Sequence, residues 1–97
     1  MIVSFGDKTT EDIFVGKNSR DARRVPQELW PIARRKLDML NAATDIQDLR
    51  VPPANRLEKL RASLVRFHSI RVNDQFRIIF VWANDNASDV RVLDYHD

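Results

Sequence analysis

Two consecutive prolines, Pro52 and Pro53, sit near the middle of this chain and decide where helix has to stop. A proline ring fixes φ, removes an amide donor and pushes the preceding residue out of the helical region, so residues 51–55 must be extended or turning. On the amino-terminal side, apolar residues recur at spacings of three and four. Pro26 followed by Leu29, Ile32, Ala33, Leu37 and Leu40 describes an amphipathic helix whose other side carries Arg34, Arg35 and Asp38. Residues 2–5 alternate weakly and read as a short strand, residues 8–15 as a brief helix ended by Gly16, and residues 44–49 as one more helical turn.

Beyond the prolines the period changes to two. Residues 56–61, 67–72, 75–82 and 88–95 are short runs rich in β-branched and aromatic side chains. Asn73-Asp74 and Asn84-Asp85-Asn86 are hairpin turn signals between them, so three strands in meander order are expected. The 75–82 run is apolar on both faces, with Phe76, Ile78, Phe80 and Trp82 on one and Ile79 and Val81 on the other, which predicts a central strand. Arg77 interrupts it. A guanidinium there needs a partner to offset its desolvation, and Asp94 on the neighbouring strand is the expected one. Helices first and strands second define an α+β class. With 97 residues, a second core would leave each half too small to offset its chain entropy, so residues 1–97 form one domain.

The 43% apolar and 31% charged content is that of a water-soluble globular chain. No cysteine is present, so neither disulfides nor a thiolate metal site is available, and the few acids and two histidines lack ligand spacing. No metal or other cofactor is expected. The first residues lack a basic segment followed by a long apolar run, and no stretch approaches the roughly 20 apolar residues of a membrane span, so a cytoplasmic protein is expected. The net charge of +2 is unevenly distributed. Residues 20–36 are net +4 and residues 50–77 net +5, while the remainder is acidic, a distribution that favours nucleic acid as a partner.

The chain's last residues, Asp94-Tyr95-His96-Asp97, place an acid, a phenol and an imidazole at a strand end. His96 can carry a proton in either direction near neutral pH, and a nearby carboxylate such as Asp94 would favour its imidazolium. Arg77 has the planar, two-pronged donor geometry that stabilises a phosphorane. Tyr95 can bond a phosphate or a 2′-OH, or stack on a base. Together these groups point to RNA cleavage by 2′-OH attack. His68 is read first as a base-stacking or structural residue.

Several segments in order resemble the HigB toxins, a branch of the RelE-like ribosome-dependent mRNA interferases of type II toxin–antitoxin systems. They are Ser4-Phe5-x-Asp7-Lys8-x-Thr10-Glu11, Ala33-Arg34-Arg35-Lys36-Leu37-Asp38-Met39-Leu40, Leu49-Arg50-Val51-Pro52-Pro53-x-Asn55-Arg56-Leu57-Glu58, Ser69-Ile70-Arg71-Val72-Asn73-Asp74-Gln75-x-Arg77-Ile78 and the final Asp94-Tyr95-His96. The resemblance implies a RelE-like α+β fold, with two amino-terminal helices packed on a small, twisted, mostly antiparallel sheet. It implies cleavage of mRNA in the A site of the 30S subunit, and inhibition by a helix-turn-helix antitoxin of the HigA type through which alone operator DNA is bound. By the same resemblance the catalytic positions are His96, Arg77, Tyr95, Asp94 and Arg61. Arg34, Arg35 and Lys36 are expected on ribosomal RNA phosphates, with Arg66, Arg71 and His68 along the message. One departure stands out. Where the family often has Lys-Gly-Asp-Arg-x-Gly, this chain reads Arg61-Ala62-Ser63-Leu64-Val65-Arg66, so a different turn is expected there. A non-catalytic RNA-binding module and a same-fold toxin acting on topoisomerase are the competing readings.

Overall fold

A computed structural model describes residues 1–95. Helix α1, Lys8–Val15, begins where the Asp7 carboxylate accepts the Thr10 amide at 2.8 Å, and it ends at Gly16, whose φ of 81° is the left-handed turn that glycine adopts without penalty. Helix α2, Trp30–Ala42, follows a 3-10 turn at Gln27–Leu29 and carries Pro31 in its first turn, where a missing amide donor costs nothing. Helix α1 stands where the sequence places it, whereas the α-helical part of the second begins at Trp30, one 3-10 turn later than Pro26 suggests.

Four strands follow: β1 Glu58–Lys59, β2 Phe67–Arg71, β3 Phe76–Ala83 and β4 Asn86–Asp94, antiparallel and in the order β1-β2-β3-β4. Strand β3 is interior, as its two apolar faces predict. Its hairpin to β4 turns on Asn84 and Asp85, both with positive φ, and the Asn73 carboxamide caps the β2–β3 turn by accepting the Gln75 and Phe76 amides. The sheet has one strand more than the three expected, because the 56–61 run pairs with β2 over Glu58–Lys59 alone. Arg56 at φ 47° and Ala62 at φ 56° turn the backbone out of the extended region just beyond the two ends of β1.

Residues 2–5 do not form a regular strand. They make two parallel bridges to β4, Ile2 with Ala87 and Phe5 with Val90, spanning a bulge at which Asp89 has a φ of 52°. Ser4 Oγ accepts the Asp89 amide at 2.9 Å, and the Thr10 hydroxyl accepts the Val92 amide at 2.8 Å. Backbone donors along the β4 edge are thereby occupied by the amino-terminal segment and by α1.

One sheet face packs on the helices. Ile13, Leu37, Leu40, Leu49, Ile70, Ile78, Phe80 and Val90 are essentially without solvent contact. Among the described residues no helix is long and apolar enough to cross a membrane. Between α2 and the sheet, 3-10 turns at Ile46–Arg50 and Pro53–Asn55 carry the chain across, so the prolines bend it without abolishing every helical turn. This crossing is fastened by a polar contact inside the core. Lys36, only 6% exposed, donates to Asn55 Oδ1, while the fully buried Asn55 donates from Nδ2 to the carbonyls of Leu49 at 3.1 Å and Val51 at 3.4 Å. Asn55→Ala is expected to destabilise the fold by about 2–4 kcal/mol, because it strands a buried ammonium and a buried carbonyl at once; urea unfolding of the two proteins measures the difference.

Candidate functional site

Side chains alternate across a strand, so the residues flanking the core positions of β2 and β3 define the second sheet face. Arg77 lies between the buried Phe76 and Ile78 and therefore points to this far face, in register with Arg71 on β2 and Leu93 on β4. Glu58 and Ser69, paired across β1 and β2, share that face. Arg77 Nε donates to Ser69 Oγ at 2.9 Å and Nη2 to the Arg56 carbonyl at 2.8 Å, with a Glu58 carboxylate oxygen at 3.8 Å. Its side chain is 14% exposed, and its Nη1 has no protein partner among the described residues. Asp94 is not the partner that the sequence suggested. The register puts Asp94 opposite Phe76, on the other face, and its carboxylate accepts Gln75 Nε2 at 2.9 Å.

Alternation also separates the terminal group. Tyr95 lines a cleft of about 680 Å³ with Glu58, Lys59, Leu60, Arg61 and Ala62. Asp94 lines a second cleft of about 440 Å³ with Asp7, Thr9, Arg24 and Gln75, at the helix-facing side. His96 lies outside the described residues. Tyr95 is fastened at its backbone, its amide donating to the Gln75 carbonyl at 3.2 Å.

Arg61 stands at the start of the 3-10 turn Ala62–Leu64, exposed at the cleft mouth, and Arg66 is exposed just before β2. In this turn Ala62 has a φ of 56°, a left-handed backbone that costs a residue other than glycine about 1–2 kcal/mol. Arg71 faces Arg77 directly across β2 and β3, and its charge is balanced by a bond to Asp74 as that of Arg77 is by Glu58.

Two residues expected on RNA stand elsewhere. Lys36 is buried against Asn55, and burial followed by the Arg35 charge pushes its ammonium below the ordinary lysine value, so it is not presented to phosphates; Arg34 and Arg35 beside it are exposed. His68 pairs with Lys59 and Phe80 on the sheet face opposite Arg77, its ring stacked on Phe80 with centroids 6.1 Å apart. Its Nδ1 is buried and unbonded among the described residues. Sequence reasoning missed Ser69, Asn55 and Glu58; a lone hydroxyl at an interior position of an apolar strand is the signal that marks Ser69. Among the described residues no three His, Cys, Asp or Glu side chains converge as metal ligands.

The fold is RelE-like. Over its whole length the chain superposes on 97% of a chain in the YoeB–YefM complex from Staphylococcus aureus, with a TM-score of 0.62 at 15% identity. A heterotetrameric YoeB–YefM toxin–antitoxin complex from the same organism gives 0.55 at 17%, with the same coverage. Residues 3–96 match the family described as RelE-like toxin of type II toxin–antitoxin system HigB. Toxin HigB-1 of Vibrio cholerae is 38% identical over 99% of this chain and 98% of its own length, and an uncharacterized Haemophilus influenzae protein is 42% identical over 75% and 71%. The chain belongs to the HigB-like toxins.

The His68 environment has a consequence for stability. Burial first, then the Lys59 charge, lowers its pKa from the ordinary value near 6.5. On acidification the unfolded chain therefore takes up this proton before the folded one does, and stability falls as pH drops from about 6.5 through the folded-state value. Denaturation midpoints at pH 7.5 and pH 5 are expected to show a smaller acid loss for His68→Gln than for the parent.

Proposed function

We propose that this toxin is a metal-independent endoribonuclease that cuts mRNA held in the A site of the 30S ribosomal subunit and so stops translation. The observation that supports the reading most is the state of Arg77: two of its nitrogens are anchored to the protein, and the edge bearing Nη1 is left for a ligand beside a cleft that holds Arg61 and Tyr95. A guanidinium so held suits the non-bridging oxygens of a phosphate passing to a phosphorane.

In this reaction the ribose 2′ oxygen bonds to phosphorus, the bond from phosphorus to the 5′ oxygen breaks, and a cyclic 2′,3′-phosphate and a 5′-hydroxyl result. One group must take the 2′-OH proton and another must protonate the leaving oxygen. His96 is the proton carrier at the chain's end; Tyr95 bonds the phosphate or stacks on a base, and Arg77 bears the charge. Asp94, which lines a different cleft from Tyr95, acts on His96 by its charge. With one imidazole where two proton carriers are needed, the site is completed by the ribosome. Arg61, Arg66 and Arg71 line the mRNA path, and Arg34 and Arg35 meet ribosomal RNA phosphates. In the cytoplasm a HigA-type helix-turn-helix antitoxin masks the toxin and supplies all contact with operator DNA. Membership of a type II family supports an antitoxin, as do the YefM-bound relatives of the fold.

Primer extension on mRNA from briefly induced cells is expected to show cuts within translated codons that vanish in His96→Ala and fall at least 100-fold in Arg77→Ala. Growth arrest over intact mRNA would overturn the nuclease reading in favour of binding alone. Ribosome association is expected to weaken with salt, and Arg34→Ala combined with Arg35→Ala is expected to lower the slope of log affinity against log salt by about 2. An unchanged slope would remove both arginines from the phosphate contacts.

A further inference from the structure

Ser69 is fully buried in β2, in register with Glu58 on one side and Ile79 on the other. An interior strand position favours a β-branched apolar residue, and a serine there contributes less packing. Its hydroxyl must also be bonded, since a buried polar group without a partner is costly. The partner is Arg77 Nε, at 2.9 Å. The other fixed point of the guanidinium is the Arg56 carbonyl, 2.8 Å from Nη2. Arg56 follows the Pro53–Asn55 turn directly, and the buried Asn55 side chain fastens that turn to α2 through Lys36 and to the Leu49 carbonyl.

These contacts fix the plane of the guanidinium. Bonds to Nε and Nη2 occupy one edge, so the Nη1 side is the one left for an incoming ligand. An arginine without them has several free torsions and two edges to offer, and would lose that freedom only on reaching the transition state.

We propose that Ser69 is a positioning residue for Arg77, fixing with the Arg56 carbonyl the edge that meets the scissile phosphate, and that Asn55 serves the same end by holding that carbonyl in place. This inference rests on the nuclease reading. Ser69 touches no substrate; its effect passes through Arg77.

The test compares the full-length parent, Ser69→Ala, Arg77→Ala and the double variant on ribosomes programmed with a defined mRNA, together with hydrogen exchange at Arg77 Nε–H by nuclear magnetic resonance. The expected results are a kcat for Ser69→Ala lowered roughly 10- to 100-fold with KM within about twofold, and no further loss when the change is added to Arg77→Ala. Slow exchange at Arg77 Nε–H in the parent is expected to become fast in Ser69→Ala. A parent that leaves mRNA intact overturns the nuclease reading and this inference with it. A cleaving parent overturns this inference alone if Ser69→Ala matches it, if the loss is in KM only, or if the two substitutions act additively. Should Ser69→Ala not fold, the parent decides: Arg77 Nε–H exchange as fast as that of exposed arginines refutes the positioning role, and slow exchange upholds it.

Discussion

The contact between Lys36 and Asn55 joins the two halves of the molecule, and the rest of the structure depends on it. An ammonium taken out of water needs compensation, and here a carboxamide supplies it while its other end binds backbone carbonyls that no regular element satisfies. Burial lowers the pKa of the lysine, so the charge is held at a cost that apolar packing would avoid. What the polar joint provides is a defined path: the chain leaves α2, turns at Ile46–Arg50, and enters the sheet with the Arg56 carbonyl in a fixed place.

From that fixed carbonyl the site follows. Arg77 stands on an interior strand because Ser69 and Arg56 satisfy two of its nitrogens, and the cationic face it shares with Arg71 is tolerated because Glu58 and Asp74 stand beside the two guanidiniums. Among the described residues the acids sit at the margin and one edge of Arg77 has no protein partner. The helix-facing side of the sheet has the opposite character, with its apolar residues buried and His68 kept short of protons by its surroundings.

Much of this was legible in the residues. The periodicities located α1, α2 and the interior β3, and Asn84-Asp85 marked a two-residue hairpin by chemistry that only left-handed conformers need. The prominence of Arg77 was likewise visible, as an ion within an apolar run. Its partner was not, because sequence proximity on facing strands says nothing of register, and a shift of one residue sends Asp94 to the other face. The same alternation divides Asp94 from Tyr95 between two clefts, although in sequence they read as one cluster. Lys36 was assigned to ribosomal RNA phosphates with Arg34 and Arg35, while its position three residues after Ala33 and four before Leu40 put it on the buried stripe. Nor could propensity foresee that Ala62 would adopt a positive φ, since only the surrounding turn imposes it.

The measurement that bears most directly on this account is a structure of the toxin on a ribosome carrying mRNA whose scissile 2′-OH is methylated, so that the complex is held before cleavage. The account requires the scissile phosphate on the face of the sheet that bears Arg77, with Nη1 within hydrogen-bond distance of a non-bridging oxygen and the bonds to Ser69 and the Arg56 carbonyl intact. A phosphate seated instead in the cleft of Asp7, Arg24 and Asp94, with Arg77 touching only protein, would contradict it.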